Sequence, residues 1–124
     1  MQPNQDLITA IYAAFNRREI EAVLAAMHPD VDWPNAMEGG RLCGHSQVRD
    51  YWKRQWGMMD PRVEPIRVEV DRTGPTIVEV HQVVRDLSGN VLVDQMVQHV
   101  YFIKDGLIER MDIRPSAATP PRAT

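Results

Sequence analysis

The spacing of apolar residues changes from helical to alternating near residue 63, and this change limits the possible folds more than any other feature of the sequence. Residues 5–27 carry apolar side chains three and four positions apart, which predicts helix, with a break where Asn16 and Glu19 predict a cap and the start of a second helix. Residues 45–56 predict a third helix. From residue 63 the period is two, which predicts strands over 63–70, 76–85, 91–104 and 107–114.

The order of these elements indicates an α+β domain, with three helices on one face of a curved sheet. A short strand is also predicted at 31–33. We expect a single domain over residues 1–114, because 124 residues with 44% hydrophobic side chains can bury one core. Residues 115–124 are rich in proline and small side chains, and they predict a flexible tail.

Composition argues against several functional classes. The net charge of −3 does not supply the basic surface that nucleic-acid backbones require, so we expect no nucleic-acid partner. No apolar run approaches the roughly 18 residues of a membrane span, and the first residues lack the features of a signal peptide. The single cysteine, Cys43, cannot form an internal disulfide, and the four histidines lack metal-ligand spacing. We therefore expect a cytoplasmic protein without membrane contact or a metal site.

A turn at Ser88-Gly89 predicts how the two central strands pair. It sets Val78 opposite His99, Val80 opposite Val97 and Gln82 opposite Gln95. One face is then apolar apart from two amides, an imidazole and a phenol, and it consists of Val78, Val80, Gln82, Val84, Val93, Gln95, Val97, His99 and Tyr101. The opposite face mixes charged and apolar side chains, which suits a subunit interface, so we expect a homodimer through this outer face.

The hairpin at Asp105-Gly106 admits two registers for the last strand. A two-residue loop places His99 opposite Asp112 and Tyr101 opposite Arg110. A shift of one residue would instead turn Met111 inward and Asp112 outward. The register therefore decides whether Asp112 can act beside His99.

The inner face carries the candidate chemistry. His99 is the candidate acid or base, because the unperturbed pKa of histidine, about 6.5, allows proton exchange near neutrality, and Asp112 is its candidate partner. The candidate hydrogen-bonding groups for a ligand oxygen are Asn35, Tyr51, Gln82, Gln95 and Tyr101. The candidate apolar wall consists of Trp33, Trp52 and Val97. Each of these also has a structural alternative, in which it bonds or packs only with its neighbours in the core.

Four features, in this order, resemble the SnoaL-like branch of the nuclear transport factor 2-like superfamily over residues 5–114. They are Tyr12-Ala13-Ala14-Phe15-Asn16 with Glu19-Ile20, His28-Pro29-Asp30-Val31-Asp32-Trp33, the helix start Gly44-His45-Ser46-Gln47-Val48-Arg49-Asp50-Tyr51-Trp52, and the hairpin Lys104-Asp105-Gly106-Leu107-Ile108. This superfamily includes ketosteroid isomerase, polyketide cyclases and limonene epoxide hydrolase. The resemblance implies a cone-shaped α+β barrel of the cystatin-like kind, a homodimer, a pocket at the wide end and no cofactor.

Residue by residue, the resemblance selects among these activities. The general-base carboxylate of ketosteroid isomerases would fall near Asn35, their oxyanion-hole aspartate falls at His99, and their oxyanion-hole tyrosine falls near Ile11, with Tyr12 beside it. These differences disfavour that chemistry. The arginine and aspartate of limonene epoxide hydrolase fall on Val80 and Gln82, so the residues that activate water in that enzyme are absent here. His99 with Asp112 resembles the histidine and aspartate of SnoaL-type cyclases.

The residues and the resemblance together predict an enzyme that moves a proton on a small, apolar, carbonyl-bearing molecule, by isomerisation, cyclisation or dehydration. Two alternatives remain. One is a ligand-binding or accessory protein without turnover, and the other is a homodimeric interaction module whose cavity is packed shut.

Overall fold

Three helices pack on a six-stranded sheet in the computed structural model, which describes residues 3–70 and 74–119. The helices are α1 (Pro3–Asn16), α2 (Ile20–Leu24) and α3 (Gly44–Trp56). The strands are β1 (Met27–Pro34), β2 (Arg41–Cys43), β3 (Met59–Val70), β4 (Thr76–Asp86), β5 (Val91–Lys104) and β6 (Leu107–Pro115). They lie in the order β2-β1-β6-β5-β4-β3, antiparallel except for the parallel pair β1 and β6. The predicted α+β architecture on a curved sheet is confirmed.

The break between α1 and α2 is where predicted, but the capping interaction is different. Glu19 is the N-cap of α2 and makes no side-chain capping bond. Asn16 is the last residue of α1, and its amide bonds both backbone groups of Val63: Nδ2 donates to the carbonyl at 2.6 Å, and Oδ1 accepts from the N–H at 3.0 Å. The predicted capping box at Asn16 is therefore wrong.

The reason is that β3 forms one edge of the sheet. The backbone N–H and carbonyl of Val63 point away from β4, where the described residues form no further strand to bond them. The side-chain amide of Asn16 takes the place of that missing strand. Pro61 and Pro65 lie two positions to either side on the same strand and have no N–H to leave unpaired. The edge is thus protected by one helical side chain and two prolines.

The pairing of β4 with β5 agrees with the prediction. Val78 lies opposite His99, Val80 opposite Val97, and Gln82 opposite Gln95. Because side chains alternate between faces, His99 and Tyr101 of β5 point toward the helices with Val78 and Val80 of β4, and all four are buried. This side of the sheet is called the inner face below.

The predicted register of β5 with β6 holds only next to the turn. Lys104 pairs with Leu107 and Ile103 with Ile108, as a two-residue loop requires. A bulge at Glu109 then shifts the pairing, so that His99 lies opposite Ile113. The predicted pairing of His99 with Asp112 is therefore wrong, and the other register that the hairpin admits, with Met111 inward and Asp112 outward, is the one found beyond the bulge.

The shift exchanges the two faces of β6. Met111 now lies opposite Tyr101 and is buried, whereas Asp112 lies opposite Val100 on the outer face. Since side chains alternate along a strand, one extra residue is enough to turn every later side chain over.

The core fills the space between the helices and the inner face. Its buried members include Ile8, Ile11, Tyr12, Val23, Leu24, Val48, Tyr51 and Trp52 from the helices, and Val31, Trp33, Val63, Val78, Val80, Val97, Tyr101, Ile108 and Met111 from the sheet. The longest helix in residues 3–70 and 74–119 has 14 residues, and no helix there is long and apolar enough to cross a membrane.

The segment predicted as a tail begins inside the sheet. Pro115 pairs with Val97 as the last residue of β6, and the Ser116 hydroxyl donates to Glu79 at 2.6 Å. Residues 120–124 of the predicted tail lie outside the described residues.

Replacing Asn16 by alanine should lower the free energy of unfolding by about 1–3 kcal/mol, because it leaves two backbone groups of Val63 without partners. Urea unfolding of the purified variant measures this. Gln5→Ala is the matched control, since Gln5 is an exposed residue of the same helix and should change stability by less than about 0.5 kcal/mol. Equal stability of both variants would contradict the role given to Asn16.

Candidate functional site

A cavity of about 80 Å³ lies between the helices and the inner face and opens to solvent. Its wall is mostly apolar, and among the described residues that line it none is an acid, a lysine or an arginine. The lining residues are Ile11, Tyr12, Phe15, Val23, Trp33, Pro34, Ala36, Tyr51, Trp52, Gln55, Pro61, Val63, Gln82, His99, Tyr101, Met111 and Ile113. An apolar cavity with a few convergent polar groups is the usual form of a small-molecule site.

Three of the polar lining groups form one chain of hydrogen bonds. The Tyr101 hydroxyl donates to the Tyr12 hydroxyl at 2.8 Å, and that hydroxyl lies 2.6 Å from Nδ1 of His99. The rings of Tyr12 and His99 are nearly parallel, with centroids 5.8 Å apart. Tyr12 comes from α1, whereas His99 and Tyr101 are two positions apart on β5 and share its inner face. The chain therefore connects the two layers of the fold.

Burial determines the charge state of these three side chains. It lowers the pKa of His99 from 6.5 to about 4, because an apolar environment disfavours the imidazolium. Burial also raises the pKa of the Tyr101 phenol. The pKa of Tyr12 is raised well above its usual value, first by burial and then by the neighbouring Tyr101. All three groups are consequently neutral at pH 7.

Six of the predicted site residues meet at the cavity. They are His99, Tyr101, Tyr51, Gln82, Trp33 and Trp52. Tyr51 is buried, and this burial raises the pKa of its phenol. Gln82 accepts a hydrogen bond from Gln95 at 2.8 Å and lies half-buried. The structure thus brings together one imidazole, one amide and four aromatic side chains that the sequence singled out.

Three other predicted residues do not line the cavity. Asn35 is buried, but its side chain closes its own loop by accepting from the Glu38 N–H at 2.8 Å and donating to the Glu38 carboxylate at 3.0 Å. Gln95 is exposed and contacts Gln82 from outside the cavity. Val97 is a member of the core and not of the cavity wall. The prediction that these residues contact the ligand is not supported by their positions.

Asp112 lies outside the cavity in a network of alternating charges. It bonds Arg110 at 3.0 Å and Arg41 at 3.1 Å, and both arginines also pair with Asp32. Arg41 in addition donates to the Met111 carbonyl at 2.6 Å. These contacts join β1, β2 and β6 at one side of the sheet, so the structure gives Asp112 a structural position and not one beside His99.

Tyr12 is the main site residue that the sequence did not identify. Its spacing from Ile8 and Phe15 predicts only a core position on α1. The signal in its favour was indirect: a phenol among apolar residues of one helical stripe needs a polar partner once it is buried. The identity of that partner depends on how α1 crosses the sheet.

Aromatic side chains form much of the cavity wall and pack on one another. Trp52 packs edge-to-face against Phe15 and Trp33, with centroids 5.5 and 5.7 Å away, and it stacks on Trp56 at 5.9 Å. The guanidinium of Arg18 lies 4.9 Å from the Trp56 ring. The cavity is consequently smaller than the roughly 300–1,000 Å³ of typical ligand sites. A ligand of more than a few heavy atoms therefore requires movement of these side chains or must extend out of the opening.

The described residues contain no group of three or more histidine, cysteine, aspartate or glutamate side chains placed to hold a metal ion.

Comparison with known proteins identifies the family. A family model described as a SnoaL-like domain matches residues 8–111, which is most of the chain. The protein belongs to the SnoaL-like family. No curated protein matches the chain significantly.

Solved structures with the same fold are numerous. TerC, co-crystallised with polyporic acid, is 26% identical, with a TM-score of 0.79 and 92% of each chain covered. A protein of unknown function from Burkholderia pseudomallei K96243, described as NTF2-like, is 23% identical, with a TM-score of 0.80 over 94% of this chain and 92% of that one. A proposed polyketide cyclase from Xanthomonas campestris pv. campestris is 24% identical, with a TM-score of 0.73 over 90% and 89%. The resemblance drawn from the sequence is confirmed for family and fold, and a specific activity is not established by it.

The lowered pKa of His99 predicts how stability depends on pH. The unfolded chain takes up a proton on this histidine near pH 6.5, but the folded protein does so only near pH 4. Between these values the unfolded state binds more protons than the folded state, so a falling pH favours unfolding. At pH 4.5 this group should lower the free energy of unfolding by about 2–3 kcal/mol relative to its value above pH 6.5.

The matched comparison is wild type with His99→Gln, which has no titrating group at this position. Urea unfolding at pH 7 and pH 4.5 should show a smaller loss of stability in the variant, by that same 2–3 kcal/mol. Other titrating groups are common to both proteins and cancel in the difference. Identical losses would show that the imidazole of His99 is not protected from protonation.

Proposed function

We propose that the cavity binds a small, mostly apolar, carbonyl-bearing molecule and promotes proton transfer on it, in a reaction of the isomerase, cyclase or dehydratase type. The observation that carries this proposal is the hydrogen-bond chain from Tyr101 through Tyr12 to His99, which ends at an uncharged and largely apolar cavity. A site that orients one polar atom of an apolar ligand needs a few fixed polar groups in an otherwise apolar cavity, and this chain supplies them.

The proposed roles follow from position. His99 polarises the ligand oxygen, because a buried neutral imidazole forms a stronger hydrogen bond among apolar side chains than in water. Trp33 and Trp52 supply flat apolar surfaces for the ligand body. Gln82 and Tyr51 offer further hydrogen bonds on the cavity wall.

The comparisons support a small organic ligand. TerC was co-crystallised with polyporic acid and shares 26% of its residues with this chain over 92% of both. A relative with the same fold and this level of identity makes the cavity the natural place to test for an organic ligand here.

Binding without turnover is a second candidate, and one observation favours it. No carboxylate lines the cavity among the described residues, and burial lowers the pKa of His99 to about 4, which makes this imidazole a weak base at neutral pH. A protein that only holds or carries its ligand needs no stronger base.

Acetophenone in deuterated buffer tests both candidates. If the protein promotes proton transfer, it should speed exchange of the methyl hydrogens next to the carbonyl, with water or buffer at the cavity opening taking up the proton while His99 polarises the oxygen. Proton NMR follows this exchange directly. His99→Gln should abolish the added exchange, and Asp112→Asn should leave it at the wild-type rate, because Asp112 lies on the outer face.

The remaining results separate the candidates. Saturable binding of acetophenone without faster exchange would support the binding protein and overturn the enzyme. Absence of binding by this ketone and by larger aryl ketones, with no thermal shift at saturating concentration, would overturn both and support an interaction module with a closed cavity.

We further propose that two copies associate through the outer face of the sheet. A hollow of about 560 Å³ there is lined by Ile77, Val100 and Phe102 together with Asp112 and Arg114. Apolar side chains combined with charges of both signs suit a self-complementary contact about a two-fold axis.

Phe102→Glu should convert the dimer to a monomer, because it places a carboxylate among apolar side chains at the proposed contact. Sedimentation equilibrium at micromolar concentration measures the mass. Met58→Glu is the control, since Met58 is exposed outside this face and its replacement should leave the dimer intact. A wild-type protein that sediments at 14.2 kDa would contradict the proposal.

A further inference from the structure

We propose that Tyr12, which accepts a hydrogen bond from Tyr101, is a positioning residue that holds His99 in the tautomer with its hydrogen on Nε2, so that the cavity presents an N–H donor to an acceptor oxygen such as a ketone carbonyl. This inference rests on the proposed ligand site and adds to it the chemical class of atom that the site recognises. It assigns a role to Tyr12, which is not among the candidate site residues drawn from the sequence.

The argument begins with the hydrogens available to the chain. Three groups share two hydrogen bonds, and each hydroxyl has one hydrogen. In one arrangement Tyr101 donates to Tyr12 and Tyr12 donates to Nδ1 of His99. Both phenol hydrogens are then used, Nδ1 is an acceptor, and the hydrogen of the neutral imidazole must be on Nε2.

The reversed arrangement leaves a hydrogen without a partner. Nδ1–H would donate to Tyr12, Tyr12 would donate to Tyr101, and the Tyr101 hydrogen would need a further acceptor. Within the described residues the Tyr101 hydroxyl bonds only Tyr12, and Tyr101 is 2% exposed. An unpaired buried O–H costs more free energy than an ordinary hydrogen bond contributes, so the first arrangement is favoured.

Acidity favours the same direction. A phenol is the more acidic donor of the pair, and an imidazole nitrogen is a better acceptor than a phenol oxygen. The separation of 2.6 Å between the Tyr12 oxygen and Nδ1 fits a strong O–H to nitrogen bond. Tyr101 adds to this by donating to Tyr12, since an oxygen that accepts a hydrogen bond becomes a better donor itself.

Nε2 is then the nitrogen left for a ligand. The structure gives it no hydrogen bond to any described residue, and His99 lines the cavity. The other titratable side chains in the described lining of the cavity are Tyr12, Tyr51 and Tyr101. They are neutral, so none of them supplies a negative charge that would stabilise the protonated imidazolium. A neutral N–H selects a carbonyl oxygen and disfavours a ligand that offers its own N–H or ammonium group.

The three hydrogen-bonded side chains can donate a hydrogen bond to the ligand oxygen, but they do not transfer a proton to it. Full transfer from Nε2 to the ligand would require Tyr12 to protonate Nδ1 and Tyr101 to protonate Tyr12, leaving a Tyr101 phenolate. Burial raises the pKa of both phenols, so this charge is disfavoured. Polarisation of the ligand oxygen is what the geometry provides.

Nitrogen NMR of protein labelled in histidine tests the tautomer, because long-range proton–nitrogen spectra distinguish Nδ1–H from Nε2–H. His28 and His45 serve as internal references: Nδ1 of His28 accepts from the Asp30 N–H, and Nε2 of His45 bonds the Met27 carbonyl. Wild-type His99 should show the Nε2–H form at pH 7. Tyr12→Phe should give a mixture of both forms, whereas Tyr101→Phe should keep the Nε2–H form, because Tyr12 can still donate to Nδ1.

A matched pair of ligands tests the acceptor preference. Acetophenone has a carbonyl oxygen, and α-methylstyrene has a CH₂ group in the same place with nearly the same shape. Wild type should bind acetophenone more tightly than α-methylstyrene by about two- to tenfold, as expected for one neutral hydrogen bond. In Tyr12→Phe this preference should shrink while binding of α-methylstyrene stays close to wild type, which a general loss of folding would not produce.

The outcomes separate this inference from the proposed function. An Nδ1–H form in wild type, or equal affinity for the two ligands, would overturn the inference while leaving a ligand site in place. If neither ligand binds but His99 is in the Nε2–H form, the proposed function and the acceptor preference are both overturned. The role of Tyr12 in fixing the tautomer of His99 would then still stand. Unchanged signals of His28 and His45 in each variant show that its fold is intact.

Discussion

Two buried hydrogen bonds through Tyr12 join the helical layer to the sheet, and the candidate site depends on them. They satisfy three polar groups in an otherwise apolar core, and they also leave one nitrogen of His99 free at a cavity whose described lining residues carry no charged side chain. An imidazole without these partners would be a costly core residue, whereas with them it is an oriented and neutral hydrogen-bonding group. The proposed chemistry follows from that neutrality, because polarisation of an oxygen needs a fixed donor and not a strong base.

Aromatic packing limits the size of the cavity. Trp52 packs edge-to-face with Phe15 and Trp33, and these three rings form part of the wall of a cavity of about 80 Å³. Each such pair contributes only about 0.5–1.5 kcal/mol beyond its buried area, so contacts with a flat ligand can replace it. A cavity of this volume is therefore compatible with the binding site proposed here.

Periodicity predicted the helices, the four long strands and the register of β4 with β5, because each depends on local spacing and one short turn. It also placed His99, Tyr101, Gln82, Trp33 and Trp52 on the side that forms the cavity. It could not predict the bulge at Glu109, since no glycine or proline marks it, and one unmarked residue was enough to move Asp112 to the outer face. Asn16 was misassigned for a similar reason, since its partner Val63 is distant in sequence.

The sequence by itself determined the family, the α+β class and the presence of a histidine on the apolar face of a central strand. Only the tertiary structure decided which groups that histidine meets. The crossing of α1 over β5 gives Nδ1 the phenol of Tyr12, and the register of β6 gives Asp112 to Arg41 and Arg110. The physical reason is that alternation fixes the face on which a side chain lies, but its partners across the core depend on how separate elements pack, and no local pattern encodes that packing.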